Sequence, residues 1–167
     1  MVYQNGSYIP GLQRRARTSR ILIAAFVVMV TAVPLSAGET VTYEKDIQGI
    51  IAKRCIFCHG PKSPTMEEFD RDKEGYKKKL KGPRMDTYDH LMVVVNGEDA
   101  GALMRRLDDG KNTKDGKPGN MYMRLGSTDA ERAENLEIFK KWIGNWTLKR
   151  SKELGKEELE AIKAPEK

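Results

Sequence analysis

The chain has 167 residues, 39% of them hydrophobic and 7% aromatic, which suits one modest core with extensions and is thin provision for two. Its formal net charge of +6 rests on 30 basic against 24 acidic residues, but Arg14, Arg15, Arg17 and Arg20 stand in residues 1–37 without an acid, so the remainder is close to neutral at +2. That distribution argues against nucleic-acid binding, which calls for a basic face on the folded domain itself.

Residues 1–37 have the pattern of a secretory signal peptide. Arginines precede an apolar run from Ile21 to Val33, and Pro34, Leu35, Ser36 and Ala37 lead to an expected cut after Ala37. Leu35 is bulkier than the alanine favoured at that place. The competing expectation is a retained N-terminal membrane anchor: the 18 residues from Ile21 to Gly38 would extend about 27 Å as a helix, near the short limit for a bilayer. Either way the remainder is expected in the periplasm or another extracytoplasmic space, tethered by residues 21–38 in the second case. The Arg14-Arg15 pair, followed by Ala16-Arg17-Thr18, is a weak twin-arginine pattern.

A first helix is predicted from about Thr42 toward Arg54, with Tyr43, Ile47, Ile50 and Ile51 on one face, and it delivers a cysteine cluster at its end. Residues 60–81 are polar, carry the Lys77-Lys78-Lys79 run, and suggest a short charged helix between loops. Tyr88, Leu91, Met92 and Val95 can share one side of a helix within Asp86 to Val95, although the β-branched Val93 to Val95 also permits a strand. A further helical piece is expected over Ala100 to Leu107. Residues 108–120 are too polar and glycine-rich to pack as an element.

The strongest helix signal covers Asp129 to about Trp146. Thr128 with Glu131 fits a capping box, and Ala133, Leu136, Phe139 and Ile143 form an apolar stripe beside Trp142. That stripe needs a partner, and the first helix offers one. The resulting fold class is all-α, with a domain over residues 38–148 and a charged C-terminal extension over 149–167, where a short surface helix is expected around Glu157 to Ile162.

Chemistry concentrates in Cys55-Ile56-Phe57-Cys58-His59. Two thiols three positions apart can form thioethers to one haem, and the adjacent histidine can ligate its iron, so the pattern predicts one covalently bound haem c. Two other chemistries use the same residue types. A redox-active cysteine pair would follow a strand in a thioredoxin-like domain, and no succession of strands is evident. Zinc held by Cys55, Cys58, His59 and distant His90 would start from adjacent ligands that suit a tetrahedral site poorly.

An electron-transfer haem is usually closed by a second axial ligand. Met66, Met85, Met92, Met104, Met121 and Met123 follow His59, and His90 is the other histidine. Core packing accounts for Met85, Met92 and Met104. Met121 and Met123 lie in Gly119-Asn120-Met121-Tyr122-Met123, a compact loop before the last helix that can carry a sulfur over a haem face.

With these residues in view, the sequence resembles the class I c-type cytochrome family in its single-haem form, over about residues 41–146. Cys55-Ile56-Phe57-Cys58-His59 is the specific element. Gly82-Pro83-Arg84-Met85, the Val94-Val95-Asn96-Gly97 turn, and the methionine loop before Ala133-Leu136-Phe139-Trp142-Ile143 are looser ones. The resemblance implies a small cytochrome c-like helical bundle enclosing one haem, His–Met coordination of the iron, and packing of the first helix on the last. It also implies that the carbonyl of Pro83 or its immediate neighbour receives the ring N–H of His59. The family's distal methionine is often followed by proline, whereas here Tyr122 follows Met121 and Arg124 follows Met123. Met121 is the first choice for the distal ligand because of the Gly119-Asn120 turn before it, with Met123 and His90 as alternatives.

The expected function is one-electron transfer with redox protein partners, in a periplasmic or membrane-associated respiratory chain, rather than independent catalysis. A membrane-anchored haem subunit of a larger redox complex shares the same centre. A haem sensor or enzyme with an open axial position is the alternative of a different class, and no distal acid–base constellation favours it.

Overall fold

The computed structural model describes residues 39–167, which belong to one compact unit beginning at Gly38. The signal peptide or anchor expected over residues 1–37 therefore lies outside the described residues. Within them the regular elements are all helical, and none is long and apolar enough to cross a membrane.

A π-helical turn, Tyr43–Ile47, runs directly into α1, Gln48–Arg54. Thr42 starts it: its hydroxyl accepts from Lys45 N at 3.4 Å, while its own N–H donates to Asp46 Oδ2 at 2.8 Å. Tyr43, Ile47 and Ile51 are buried, with Ile50 packed at their edge. The predicted face is the face used. After Cys55 a single further turn, α2 (Ile56–His59), completes this arm.

The polar stretch contains two short helices rather than the one expected, α3 (Met66–Arg71) and α4 (Lys73–Lys78). Asp72 separates them, leaving helical geometry and capping α4 through Oδ1, which accepts from Gly75 N at 3.0 Å. Next, α5 spans Tyr88–Val95 and buries Leu91, Val94 and Val95, so helical periodicity prevails over the β-branched run. Helix α6, Ala102–Leu107, begins after Gly101, whose positive φ of 78° suits glycine.

Helix α7, Asp129–Ile143, stops short of the expected Trp146 because Gly144 turns the chain at φ +78°. Its buried stripe is Arg132, Leu136, Phe139, Trp142 and Ile143, and Ala133 is exposed. Arg132 takes the buried place with both terminal nitrogens partnered: Nη1 donates to Gly126 O at 3.1 Å and Nη2 pairs with Asp129, while Nε is buried without a partner. The capping box is half formed. Thr128 Oγ1 accepts from Glu131 N at 3.1 Å, but the Glu131 carboxylate takes Ser127 N at 2.8 Å and pairs with Arg54 and Lys53, tying α7 to α1.

Residues 149–167 differ most from expectation, because they form part of the body rather than an extension. After α8 (Lys156–Glu160), Ile162 and Ala164 enter the core. Lys163 N donates to Ile143 O and Ala164 N to Trp142 O, both at 2.9 Å, so this strap continues beside the end of α7. Its carbonyls then cap the first helix. Pro165 O accepts from Tyr43 N at 2.9 Å and from Trp142 Nε1 at 2.8 Å, Glu166 O accepts from Glu44 N at 3.0 Å, and Ala164 O accepts from Tyr88 Oη at 2.9 Å. Helix starts leave N–H groups without partners, and this strap satisfies two of them.

Candidate haem-binding site

The cysteine cluster is held by helix geometry on one side and by a crossing segment on the other. Cys55 ends α1, and its carbonyl accepts from both Cys58 N (3.2 Å) and His59 N (3.0 Å). Cys55 and Cys58 are both free, three positions apart around one turn, while Ile56 and Phe57 between them are exposed. Burial pushes the Cys55 thiol up to about 11, with Cys58 adding to the effect. A thiol in that state stays protonated, the opposite of the activated thiolate that thiol–disulfide chemistry requires.

So short a helix as α2 exposes its last carbonyls, and residues 81–85 satisfy them. Phe57 O accepts from Lys81 Nζ at 3.1 Å, Cys58 O from Gly82 N at 2.9 Å and Ser63 Oγ at 2.9 Å, and His59 O from Met85 N at 2.8 Å. Pro83, which has no N–H, contributes its carbonyl instead. It lies 2.7 Å from His59 Nδ1.

A carbonyl can only accept, so His59 Nδ1 carries the proton and the Nε2 lone pair is left to bind a metal. Burial lowers the pKa of His59 and the Pro83 carbonyl partly opposes that, favouring the neutral imidazole a metal requires. Gly82 completes the cradle. A β-carbon there would stand 2.2 Å from His59 Cε1, so the ring packs directly on the glycine backbone. Two thiols on one turn beside an oriented imidazole fit a covalently attached haem.

The alternative histidine is anchored through one ring nitrogen. His90 Nδ1 lies 2.7 Å from Thr87 Oγ1 and 3.2 Å from Asp86 Oδ1, in the network that starts α5, and Arg84 also pairs with Asp86. Among the described residues no cluster of three or more His, Cys, Asp or Glu is poised around a metal, which gives the zinc arrangement no support.

The methionines separate by environment. Met104 is fully buried and its sulfur already accepts from Thr147 N at 3.2 Å. Met85 lies on the segment that cradles His59, and Met66 and Met92 pack against the core. Met123 is 58% exposed. Met121 is half-buried, packs on the core, and has its backbone fixed by donation to Arg106 O at 2.9 Å. Of the two loop methionines it is the one packed against the core.

Sequence reasoning misses Gly82 as a steric requirement, although the residue stands directly before Pro83. It also passes over Asp108, a wholly buried carboxylate. The Asp108-Asp109-Gly110-Lys111-Asn112 string is an Asx-turn signal that could have identified it.

The profile of the PccH cytochrome c family matches residues 42–165. The chain belongs to that family. Among solved structures, the monohaem cytochrome PccH from Geobacter sulfurreducens is 51% identical, covers 75% of this chain and 98% of its own, and superposes with a TM-score of 0.70. No curated protein matches the chain. As a PccH-family cytochrome it is a haem-based electron carrier with one covalently bound haem c, built on an all-α fold. The match extends to residue 165, which agrees with the C-terminal strap being integral to the domain.

Proposed function

We propose that the protein carries single electrons between redox proteins outside the cytoplasmic membrane. In this reading Cys55 and Cys58 would attach the haem through thioethers, and His59 and Met121 would ligate its iron. The observation that carries it is the 2.7 Å contact of His59 Nδ1 with Pro83 O, which orients the imidazole with Nε2 free. The haem supplies a one-electron Fe(II)/Fe(III) couple.

The chain's own residues hold that couple in place. Gly82 and Pro83 fix the plane and tautomer of His59, so a change of iron charge meets little rearrangement at the ring. The carbonyl contacts from residues 81–85 lock α2, and Met121 is held through Arg106 O. Thioether sulfur at Met121 favours the reduced state relative to a second imidazole. Ile56 and Phe57, exposed between the two cysteines, put the attachment edge at the surface where partners can reach it.

Export is supported by the leader pattern of arginines, an apolar run and small residues. A mature N-terminus near Gly38 is the expected result of N-terminal sequencing, and an intact leader in the membrane fraction would favour the anchored form. A haem-stained denaturing gel tests attachment. Stain should remain with the wild-type chain and vanish in the Cys55→Ser, Cys58→Ser double variant. Carbon monoxide should bind the native reduced protein poorly, and ready binding would favour a sensor or enzyme with an open position.

A further inference from the structure

Resting on Met121 as distal ligand, we infer that Asp108, together with Trp146, is a positioning residue that fixes the distal loop and thereby the iron–sulfur bond. Asp108 follows α6, is 0% exposed, and its carboxylate collects four donors. Oδ1 accepts from Gly110 N at 2.8 Å and Asn112 N at 3.4 Å, and Oδ2 accepts from Asn112 Nδ2 at 2.8 Å and Trp146 Nε1 at 2.9 Å. Burial alone would raise its pKa, but the donors from Asn112, Trp146 and Gly110 outweigh burial and hold it below the usual carboxylate value. A buried carboxylate so fully supplied is a rigid node.

The same residue grips the far end of the loop. Its carbonyl accepts from Gly119 N at 2.8 Å, so one amino acid ties residues 110 and 112 to residue 119. Gly119 is laid tightly against the end of α6: a β-carbon there would stand 2.3 Å from Arg106 O and 2.4 Å from Arg105 O. Two residues later Met121 N donates to Arg106 O at 2.9 Å. Trp146, in the segment after α7, joins the node to the helix that packs on the first helical turn. The path from Asp108 to the Met121 backbone is therefore continuous, and Asn120 between Gly119 and Met121 is itself held, its Oδ1 accepting from Arg106 Nη1 at 3.1 Å.

The test uses the haem-loaded protein. Asp108→Asn keeps the shape but places an amide N–H₂ against the donors of Asn112 or Trp146, and Trp146→Phe removes one donor alone. Both variants should weaken the methionine-to-iron charge-transfer band, lower the midpoint potential and admit carbon monoxide, with Asp108→Asn the stronger. Amide exchange at Gly119 and Met121 should accelerate about tenfold in Asp108→Asn, as expected for loss of a buried hydrogen-bond node. Ile162→Ala, a destabilising control in the strap that makes no hydrogen bond to Asp108 or the distal loop, should leave band and potential unchanged. Should Asp108→Asn not fold, Trp146→Phe decides on the same readouts. A folded variant with wild-type band, potential and carbon monoxide resistance overturns the inference, as does an equal change in Ile162→Ala. Persistence of the band in Met121→Ala would instead overturn the assignment of Met121 itself.

Discussion

Gly82→Ala is the sharpest probe of the proximal cradle. The added methyl would lie 2.2 Å from His59 Cε1, 2.7 Å from Nδ1 and 2.9 Å from Nε2, whereas ordinary contact begins at 3.4 Å. The ring must therefore retreat by more than 1 Å, or the 81–85 segment must lift away and surrender the Pro83 O contact. Overpacking of this kind costs about 1–3 kcal/mol, and loss of the hydrogen bond adds about 1 kcal/mol. The expected loss is thus about 2–4 kcal/mol in urea unfolding of the haem-loaded protein, accompanied by a changed midpoint potential. Gly49→Ala is the matched control, because its β-carbon would meet nothing within 4 Å and it lies inside α1. That substitution should stabilise by up to about 1 kcal/mol through helix propensity alone. If Gly82→Ala matched wild type in both stability and potential, the packing of His59 on residue 82 would be wrong.

Acid stability should report the link between α1 and α7. The Glu131 carboxyl is held at about 2 against an ordinary 4.5, first by Ser127 N and then by Arg54. A depressed folded value means that its contribution is complete above pH 4.5 and is lost as pH falls through about 2, so the stability gap between wild type and Glu131→Gln should close across that window. A gap independent of pH would contradict the assignment. Deleting residues 162–167 removes Ile162 and Ala164 from the core and the Pro165 and Glu166 carbonyls from the first helix. The expected cost is at least about 3 kcal/mol, read as a lower thermal midpoint, and an unchanged midpoint would mean that the strap is dispensable.

The helical skeleton was legible because apolar spacing and turn residues agree along most of the chain. Tyr43, Ile47 and Ile51 announced their buried face, the haem-attachment pattern followed from residue types at fixed spacings, and the Pro83 contact followed from the family resemblance. Other features required three dimensions. Ala133 fits the stripe by hydropathy, but Arg132 takes the buried place, where Gly126 O and Asp129 take up both terminal nitrogens of its guanidinium. The strap was obscured by the charge of residues 149–163, since Ile162 and Ala164 are its only buried core residues and its main work is done by backbone carbonyls, which no side-chain pattern records. Asp108 was hidden likewise: its carboxylate is satisfied in part by Trp146, distant in sequence.

The central claim, His59 opposed by Met121, is tested most directly by the methionine-to-iron charge-transfer band of the oxidised, haem-loaded protein. Met121→Ala should abolish the band and shift the midpoint potential, while Met123→Ala, altering a residue that is 58% exposed, should preserve both. A band that survives Met121→Ala and disappears in Met123→Ala would transfer the distal role to Met123 and contradict the His59–Met121 pairing.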